Sequence, residues 1–175
     1  LAVPVSVITR ADIEAAQAGD VTELLASQPG VEIARSGGPG QPASLFLRGT
    51  DSNHTAVLID GVRINPGTIG GATLQAILPE SVERIELVRG PRSALYGSDA
   101  IGGVVNILTR AGAARGVSAY AAAGRYGTRT VSVDGGADLG SAGTLGGSIV
   151  QLDSDGFPPR INSPSSGAWR NTVGN

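Results

Sequence analysis

Alternating apolar and polar positions predict a series of short strands in the first 110 residues. Residues 3–9 alternate β-branched with polar side chains, and residues 84–89 alternate charged with aliphatic ones. Both patterns are typical of half-buried strands. Short apolar runs predict three more strands, at 31–34, 45–48 and 104–109.

A β-hairpin is predicted where Asp60-Gly61 separates the apolar run Thr55–Ile59 from Val62–Ile64. An Asp-Gly pair suits the left-handed backbone of a two-residue hairpin turn. The stretches 36–41 and 65–72 are rich in glycine, proline and small polar residues. We expect both to be exposed loops.

Capping residues predict short helices between these strands. Thr9 is followed three residues later by Asp12, and Asp20 by Glu23, which is the spacing of a capping box. Pro29-Gly30 is expected to end the second helix. Further helical turns are expected at 74–78, at 79–83 with proline in the first helical position, and at 92–96. The first 110 residues are therefore expected to form a compact mixed α+β unit.

Beyond Arg110 three longer runs, at 117–124, 129–138 and 144–152, are separated by glycine-rich turns. Glycine recurs too often here for stable helices, so strands are expected. Runs of about ten residues have the length of transmembrane β-strands. The alternation is imperfect, because 120–124 consists almost entirely of small residues. The pattern alone leaves a membrane barrel and a soluble meander both open.

Composition excludes several classes of protein. The 175 residues include 27 Gly and 10 Pro but only 3 Tyr, 2 Phe and 1 Trp, which argues against a helical bundle. All 13 basic residues are arginine, there is one His, and Cys and Met are absent. A disulfide scaffold, a thiolate or His-rich metal site, a Cys nucleophile and lysine-dependent catalysis are thereby excluded.

The net charge of −2 and the pI near 5.3 argue against non-specific nucleic-acid binding, which depends on clustered cations. No apolar stretch reaches the ~18 residues of a membrane-spanning helix. Because the chain begins at Leu1 without Met and stops in a polar segment, we interpret it as a processed or cut piece of a longer protein.

Candidate chemistry is sparse, and we expect no enzyme. His54 has no catalytic spacing partner and is interpreted as an ordinary turn residue. Asp153-Ser-Asp155-Gly156 resembles the start of a calcium loop. The third acidic position and the bidentate Glu of an EF-hand are missing. A calcium site completed by other loops stays open.

Three segments, Leu47–Thr50, Leu58–Arg63 and Val82–Ile107, resemble in order and spacing the plug domain of TonB-dependent outer-membrane transporters. The resemblance runs from about Val3 to Arg110, and the last segment alone is long enough to be specific. Within that family, the segments 29–31, 37–41 and 97–103 most resemble those of the vitamin B12 (cobalamin) transporters.

The resemblance implies an α+β plug domain at 1–112, followed at 113–175 by the first antiparallel strands of a 22-stranded transmembrane β-barrel. These remaining residues are too few to close a barrel, so the barrel is expected to be incomplete here. On this interpretation 124–128 is an outer turn, 139–143 a periplasmic turn and 153–169 an extracellular loop.

The resemblance also suggests functional residues. Five residues of the two glycine-rich loops are expected to contact the ligand: Ser36, Gln41, Asn65, Thr68 and Ile69. Five charged residues are expected to form a cluster between plug and barrel: Arg48, Arg89, Arg92, Glu83 and Glu86. A calcium ion in the extracellular barrel loops, at Asp153 and Asp155, is the third expectation, and no cofactor is expected in the plug.

The implied function is active transport across the bacterial outer membrane of a scarce large ligand, foremost cobalamin, with a siderophore or haem as the alternative. The implied partners are TonB, through a segment missing from this sequence, a cobalamin-like or metal-chelate ligand, and outer-membrane lipid, but no nucleic acid. The plug is expected to gate the barrel lumen and to face the periplasm. A secretin-like or periplasmic interaction module of similar shape is a second interpretation, which predicts that residues 1–110 fold as a soluble unit.

Overall fold

The computed structural model of the protein describes residues 5–37, 41–65, 71–91, 93–97, 100–110, 116–156 and 169–174. Within these ranges the strands form three sheets with five, four and two strands. The five-stranded and two-stranded sheets are built from residues before 110, and the four-stranded sheet from residues after 115. The predicted boundary between 112 and 113 lies outside the described residues.

The five-stranded sheet has the order β1-β6-β7-β4-β5. Its neighbours pair antiparallel except β4 and β7, which run parallel. The Asp60-Gly61 hairpin joins β4 to β5 as predicted, with φ values of 49° and 81°. The strands are β1 Val5–Ile8, β4 Thr55–Ile59, β5 Val62–Arg63, β6 Val82–Arg89 and β7 Gly103–Thr109.

Two capped helices follow β1 directly, as the sequence predicts. Helix α1 (Arg10–Ala16) begins with a complete capping box between Thr9 and Asp12. Helix α2 (Val21–Ala26) is capped by Asp20, whose carboxylate accepts a hydrogen bond from the Glu23 amide at 3.0 Å. Each cap satisfies amides that lack partners within the helix. A single turn at Ser93–Tyr96 forms α3.

The face of the sheet beneath α1 and α2 forms the main core, built from aliphatic side chains alone. Burying such side chains stabilises the fold by about 25 cal/mol per Å² of apolar surface. A smaller cluster of Ala56, Leu58, Ala100 and Val104 covers part of the opposite face. The main core includes Ile13, Leu24, Leu25, Ile85, Leu87, Val105 and Ile107.

A separate two-stranded hairpin, β2 (Val31–Arg35) with β3 (Ala43–Leu47), packs against this core. Leu45 and Leu47 are buried, and Val31 and Ile33 pack against the core from the other strand. The hairpin therefore has a packed base, and its last described backbone pair before the tip is Arg35 with Ala43.

The predicted helical turns at 74–78 and 79–83 are shorter than expected. They are single 3₁₀ turns at Leu74–Ala76 and Pro79–Ser81, and β6 begins at Val82. Val82 is fully buried and pairs with Thr109 across β7. Pairing with the sheet therefore overrides helix continuation, so the prediction that Glu83 lies in a helical turn is wrong.

The four-stranded sheet has the order β11-β10-β9-β8, with every pair antiparallel. Side chains of β9 alternate as the sequence suggests, since Ser132 and Asp134 are buried while Val131 and Val133 are exposed. Strand β10 continues to Ser154 and β11 begins at Trp169, so both strands overlap the ends of the loop predicted at 153–169. The strands are β8 Gly116–Ala123, β9 Arg129–Asp138, β10 Thr144–Ser154 and β11 Trp169–Gly174.

No helix in the described ranges is long and apolar enough to cross a membrane. The strands predicted after the α+β unit are present as one open sheet. Closure into a 22-stranded barrel stays a prediction.

Strand β7 approaches β6 so closely that position 103 must be glycine. A Cβ on Gly103 would lie 2.3 Å from the Val88 carbonyl oxygen and 2.5 Å from Leu47 Cδ2. We expect Gly103→Ala to destabilise the α+β unit by about 1–3 kcal/mol, because backbone must shift to admit the methyl group. Calorimetry of the intact protein in detergent measures the lowered transition.

Gly19→Ala is the matched control, because a Cβ there meets only Glu23 Oε2, at an ordinary 3.6 Å. Equal transition temperatures for both variants would contradict the close-approach explanation.

Candidate functional site

The first predicted ligand segment spans the tip of the β2–β3 hairpin. The Ser36 amide donates to the Pro42 carbonyl at 3.0 Å and closes the segment at its base. Gln41 folds back over Gly37, where a Cβ would lie only 2.9 Å from Gln41 Cγ. Ser36 and Gln41 are both exposed, so the structure brings these two predicted residues together at an accessible, uncharged surface.

Asn65, in the second predicted ligand segment, is engaged with the sheet. Its Oδ1 accepts from the Val57 amide at 2.6 Å, and its Nδ2 donates to the Thr55 carbonyl at 3.0 Å. The side chain thus bonds to the backbone of β4 and directs where the chain leaves the sheet. Thr68 and Ile69 lie outside the described residues.

Two of the predicted charge-cluster residues meet around the Pro29-Gly30 turn. Arg89 Nε donates to the Pro29 carbonyl at 3.0 Å and Nη1 to Ser6 Oγ at 2.7 Å, whereas the buried Nη2 has no partner among the described residues. The Arg48 amide donates to the Gly30 carbonyl at 2.8 Å. The Arg48 side chain is exposed, so its guanidinium is accessible to other partners, whereas Nη2 of Arg89 is enclosed.

The predicted acidic members of the cluster lie elsewhere. Glu86 is on the other face of β6, where it accepts from Arg84 Nε at 2.8 Å and from Asn106 Nδ2 at 3.2 Å. Arg84 holds the pKa of the Glu86 carboxyl below its usual value. Glu83 is half-buried beside an irregularity in the β6–β7 pairing, and Arg92 lies outside the described residues.

An unpredicted ion pair connects the α+β unit to the four-stranded sheet. Arg110 Nη2 lies 3.0 Å from Asp134 Oδ2, and Ser118 Oγ donates to the same carboxylate at 2.8 Å. The Asp134 side chain is only 5% exposed, so loss of its partner would leave a buried carboxylate without a counter-charge. The sequence signal for this ion pair is a charged residue, Asp134, on the inward side of a strand with alternating polarity.

A cleft with a mixed polar and apolar lining runs beside this ion pair, between α1 and the inner face of β8–β10. It holds two cavities of about 360 and 300 Å³, both lined by Gln17, Glu80 and Tyr120. Glu80 Oε2 is buried without a hydrogen-bond partner in the described part of the chain. Burial raises the pKa of this carboxyl above 4.5, although the nearby Arg10 charge acts in the opposite direction.

The predicted calcium residues do not form a cluster in the structure. Asp153 forms an ion pair with Arg170 on β11 and accepts from Gln151 Nε2 at 2.8 Å. The Asp155 amide donates to the Tyr126 carbonyl at 2.9 Å. Among the described residues no three or more His, Cys, Asp or Glu side chains are close enough to hold a metal ion.

Residues 1–104 match the family model described as the TonB-dependent receptor plug domain. The chain belongs to this family. Receptors of this family reside in the bacterial outer membrane with the plug inside a barrel, as the resemblance implied. The α+β unit is the plug domain.

Known relatives agree with this assignment. Over 105 residues, or 60% of the chain, the plug is 54% identical to the vitamin B12 transporter BtuB of Vibrio vulnificus (strain YJ016), of which the match covers 17%. The fold of the whole chain is similar to two solved receptors. The ferric yersiniabactin uptake receptor FyuA of Yersinia pestis has a TM-score of 0.71 at 24% identity, covering 98% of this chain and 28% of that one. The siderophore receptor PirA of Pseudomonas aeruginosa has a TM-score of 0.68 at 28% identity, covering 96% and 30%. The chain thus spans less than a third of each relative.

Glu80→Gln tests the buried carboxylate in the plug. A raised folded-state pKa means that the folded protein binds the proton more tightly than the unfolded chain does. The contribution of Glu80 to stability is therefore present at low pH and is lost as pH rises through the folded-state pKa. We expect the variant to match the wild type near pH 4 and to be more stable at neutral pH, measured by calorimetry of the intact receptor across pH.

Glu14→Gln is the control of opposite sign. Hydrogen bonding to Arg10 lowers the pKa of the Glu14 carboxyl, so its small contribution is present at neutral pH and is lost on acidification. If Glu80→Gln behaves like Glu14→Gln, the explanation from burial is wrong.

Proposed function

We propose that the intact protein containing this chain is a TonB-dependent active transporter that takes up cobalamin. The observation that carries the proposal is the 54% identity of the plug to a vitamin B12 transporter. That stretch includes the hairpin tip and the Arg48–Arg89 region, because it covers most of the plug.

The chemistry of the hairpin tip supports cobalamin as the ligand. Cobalamin is large and flat, carries many amide groups and has no strong net charge. Ser36 and Gln41 offer neutral hydrogen-bonding groups without bulky side chains around them. Hydrogen bonds between such groups and peripheral amides fit this ligand better than they fit a strongly anionic ferric complex.

Polar contacts support a plug that can shift within a barrel. The exposed Arg48 guanidinium can pair bidentately with a carboxylate of a barrel wall, and Arg89 is held nearby by Pro29 and Ser6. Arg110 and Asp134 already join the plug to the first strands by a charged contact. Such contacts exchange for water at less cost than an apolar interface does, so the plug gates the lumen when TonB pulls on a segment before it.

The outer face of β8–β10 supports contact with membrane lipid. Val117, Val131, Val133 and Ile149 are all at least half exposed on one face of the sheet. A band of exposed aliphatic residues is typical of the lipid-facing side of a barrel.

A calcium ion held by Asp155 and Asp153 requires displacement of Arg170 from Asp153.

A siderophore is the second candidate ligand. It is favoured by the overall fold, since the solved chains of similar fold include receptors named for siderophores at 28% identity. Uptake of either ligand implies the same plug and the same dependence on TonB. The two candidate functions differ only in the residues that contact the ligand.

Uptake by cells that lack their own cobalamin receptor tests the proposal. Expression of the intact receptor is expected to restore uptake of labelled cyanocobalamin, and deletion of TonB to abolish it. A ferric catecholate siderophore is the control ligand. Uptake of the siderophore without cobalamin uptake would replace the first candidate by the second.

Gln41→Ala tests the contribution of the hairpin tip to binding. Loss of one hydrogen bond to the ligand is expected to raise the Kd for cobalamin about 3- to 10-fold, measured by calorimetric titration of the purified receptor. Glu32→Ala, near the base of the same hairpin, is expected to leave the Kd unchanged. An unchanged Kd in Gln41→Ala would remove this residue from the binding surface.

A further inference from the structure

The tip of the β2–β3 hairpin needs an anchor of its own. In the described part of the chain, β2 and β3 pair only with each other, and an isolated two-stranded hairpin is marginally stable. Aliphatic contacts hold its base through Leu45 and Leu47. The last backbone pair before the tip joins Arg35 to Ala43. The residue of β2 nearest the tip is therefore an arginine and not an aliphatic residue.

Arg35 is bound to the start of helix α2. Its Nη2 donates to Asp20 Oδ1 at 2.9 Å and to Thr22 Oγ1 at 2.5 Å. The Thr22 hydroxyl in turn donates to Asp20 Oδ1 at 2.5 Å. The same Asp20 oxygen caps α2 through the Glu23 amide, so one carboxylate joins the hairpin to the helix.

Burial makes this contact persistent. The side chain of Asp20 is 7% exposed and that of Arg35 is 26% exposed. Breaking the pair leaves a buried carboxylate without its counter-charge, which costs far more than an exposed ion pair contributes. The residue after Arg35 is Ser36, whose amide closes the tip on the Pro42 carbonyl. The pair therefore acts one residue from the predicted ligand contacts.

We propose that Arg35 is a positioning residue, which holds Ser36 and Gln41 in their ligand-binding orientation through Asp20 and Thr22. The proposal rests on the proposed function, because it assigns the tip to ligand binding. Arg35 acts through its Nη2, which donates to Asp20 and Thr22 at the start of α2 and not to the ligand. Its pairing with Asp20 also keeps a free cation away from the tip, which suits an uncharged ligand.

Substitution of Arg35 in the intact receptor separates positioning from general stability. Arg35→Gln is expected to raise the Kd for cobalamin about 3- to 10-fold, because the tip must then be ordered on binding. Maximal uptake at saturating ligand is expected to stay at the wild-type rate. Arg35→Lys is expected to recover most of the affinity, because one nitrogen of Arg35, Nη2, makes both contacts, to Asp20 and to Thr22.

Arg10→Gln is the matched control. Arg10 also bonds within the plug, to the Pro79 and Val82 carbonyls at 2.8 Å each, but it is on α1 and not on the hairpin. It is expected to lower stability without changing the Kd. Thr22→Val removes one of the two oxygen partners of Arg35, and we expect it to raise the Kd about 2-fold.

Hydrogen exchange of the Ser36 amide tests the same proposal without ligand. Exchange is expected to be faster in Arg35→Gln and unchanged in Arg10→Gln. An unchanged Kd in Arg35→Gln, or equal increases in Arg35→Gln and Arg10→Gln, would overturn the proposal. If the wild type binds a ferric siderophore instead of cobalamin, the proposed function fails, and the same variants titrated with that siderophore decide the role of Arg35.

Discussion

The pairing of β6 with β7 is the interaction on which the rest of the structure depends. Strand β7 lies between β6 and β4, so it joins the antiparallel and parallel parts of the plug sheet. Its backbone approaches β6 so closely at Gly103 that no side chain fits there, and its inward Val105 and Ile107 are fully buried. A shift of register by one residue would turn both to the wrong face. Strand β1 pairs with β6 and β4 with β7, and side chains of α1, α2 and the hairpin join the same aliphatic core.

Charged contacts of arginine surround this aliphatic core and join its outlying parts. Arg35 connects the hairpin to α2, and Arg110 connects the plug to the four-stranded sheet through Asp134. Both carboxylates are buried, so each contact is directional as well as strong. A rigid centre with polar attachments allows the plug to keep its fold while its contacts with the surroundings change.

Local signals in the sequence predicted most of the plug, and long-range contacts account for what they missed. The Thr9 cap and the Asp60-Gly61 turn involve neighbouring residues, so both could be inferred directly. Whether Arg89 and Glu86 share a site depends on which face of β6 each occupies, and the strand places them on opposite faces. Strand β11 depends on pairing with β10, for which its own residues give little signal. Asn65, one of the predicted ligand contacts, hydrogen-bonds to the backbone of β4, which the loop-like composition of its segment does not indicate.

The amide of Asn65 imitates a peptide group. By accepting from Val57 and donating to Thr55, it supplies to β4 the hydrogen bonds that a longer β5 would have made. A single side chain thus takes the place of a strand extension beside β4. The Val57 amide and the Thr55 carbonyl already have partners, so this part of the strand edge is closed to pairing with a strand from another molecule.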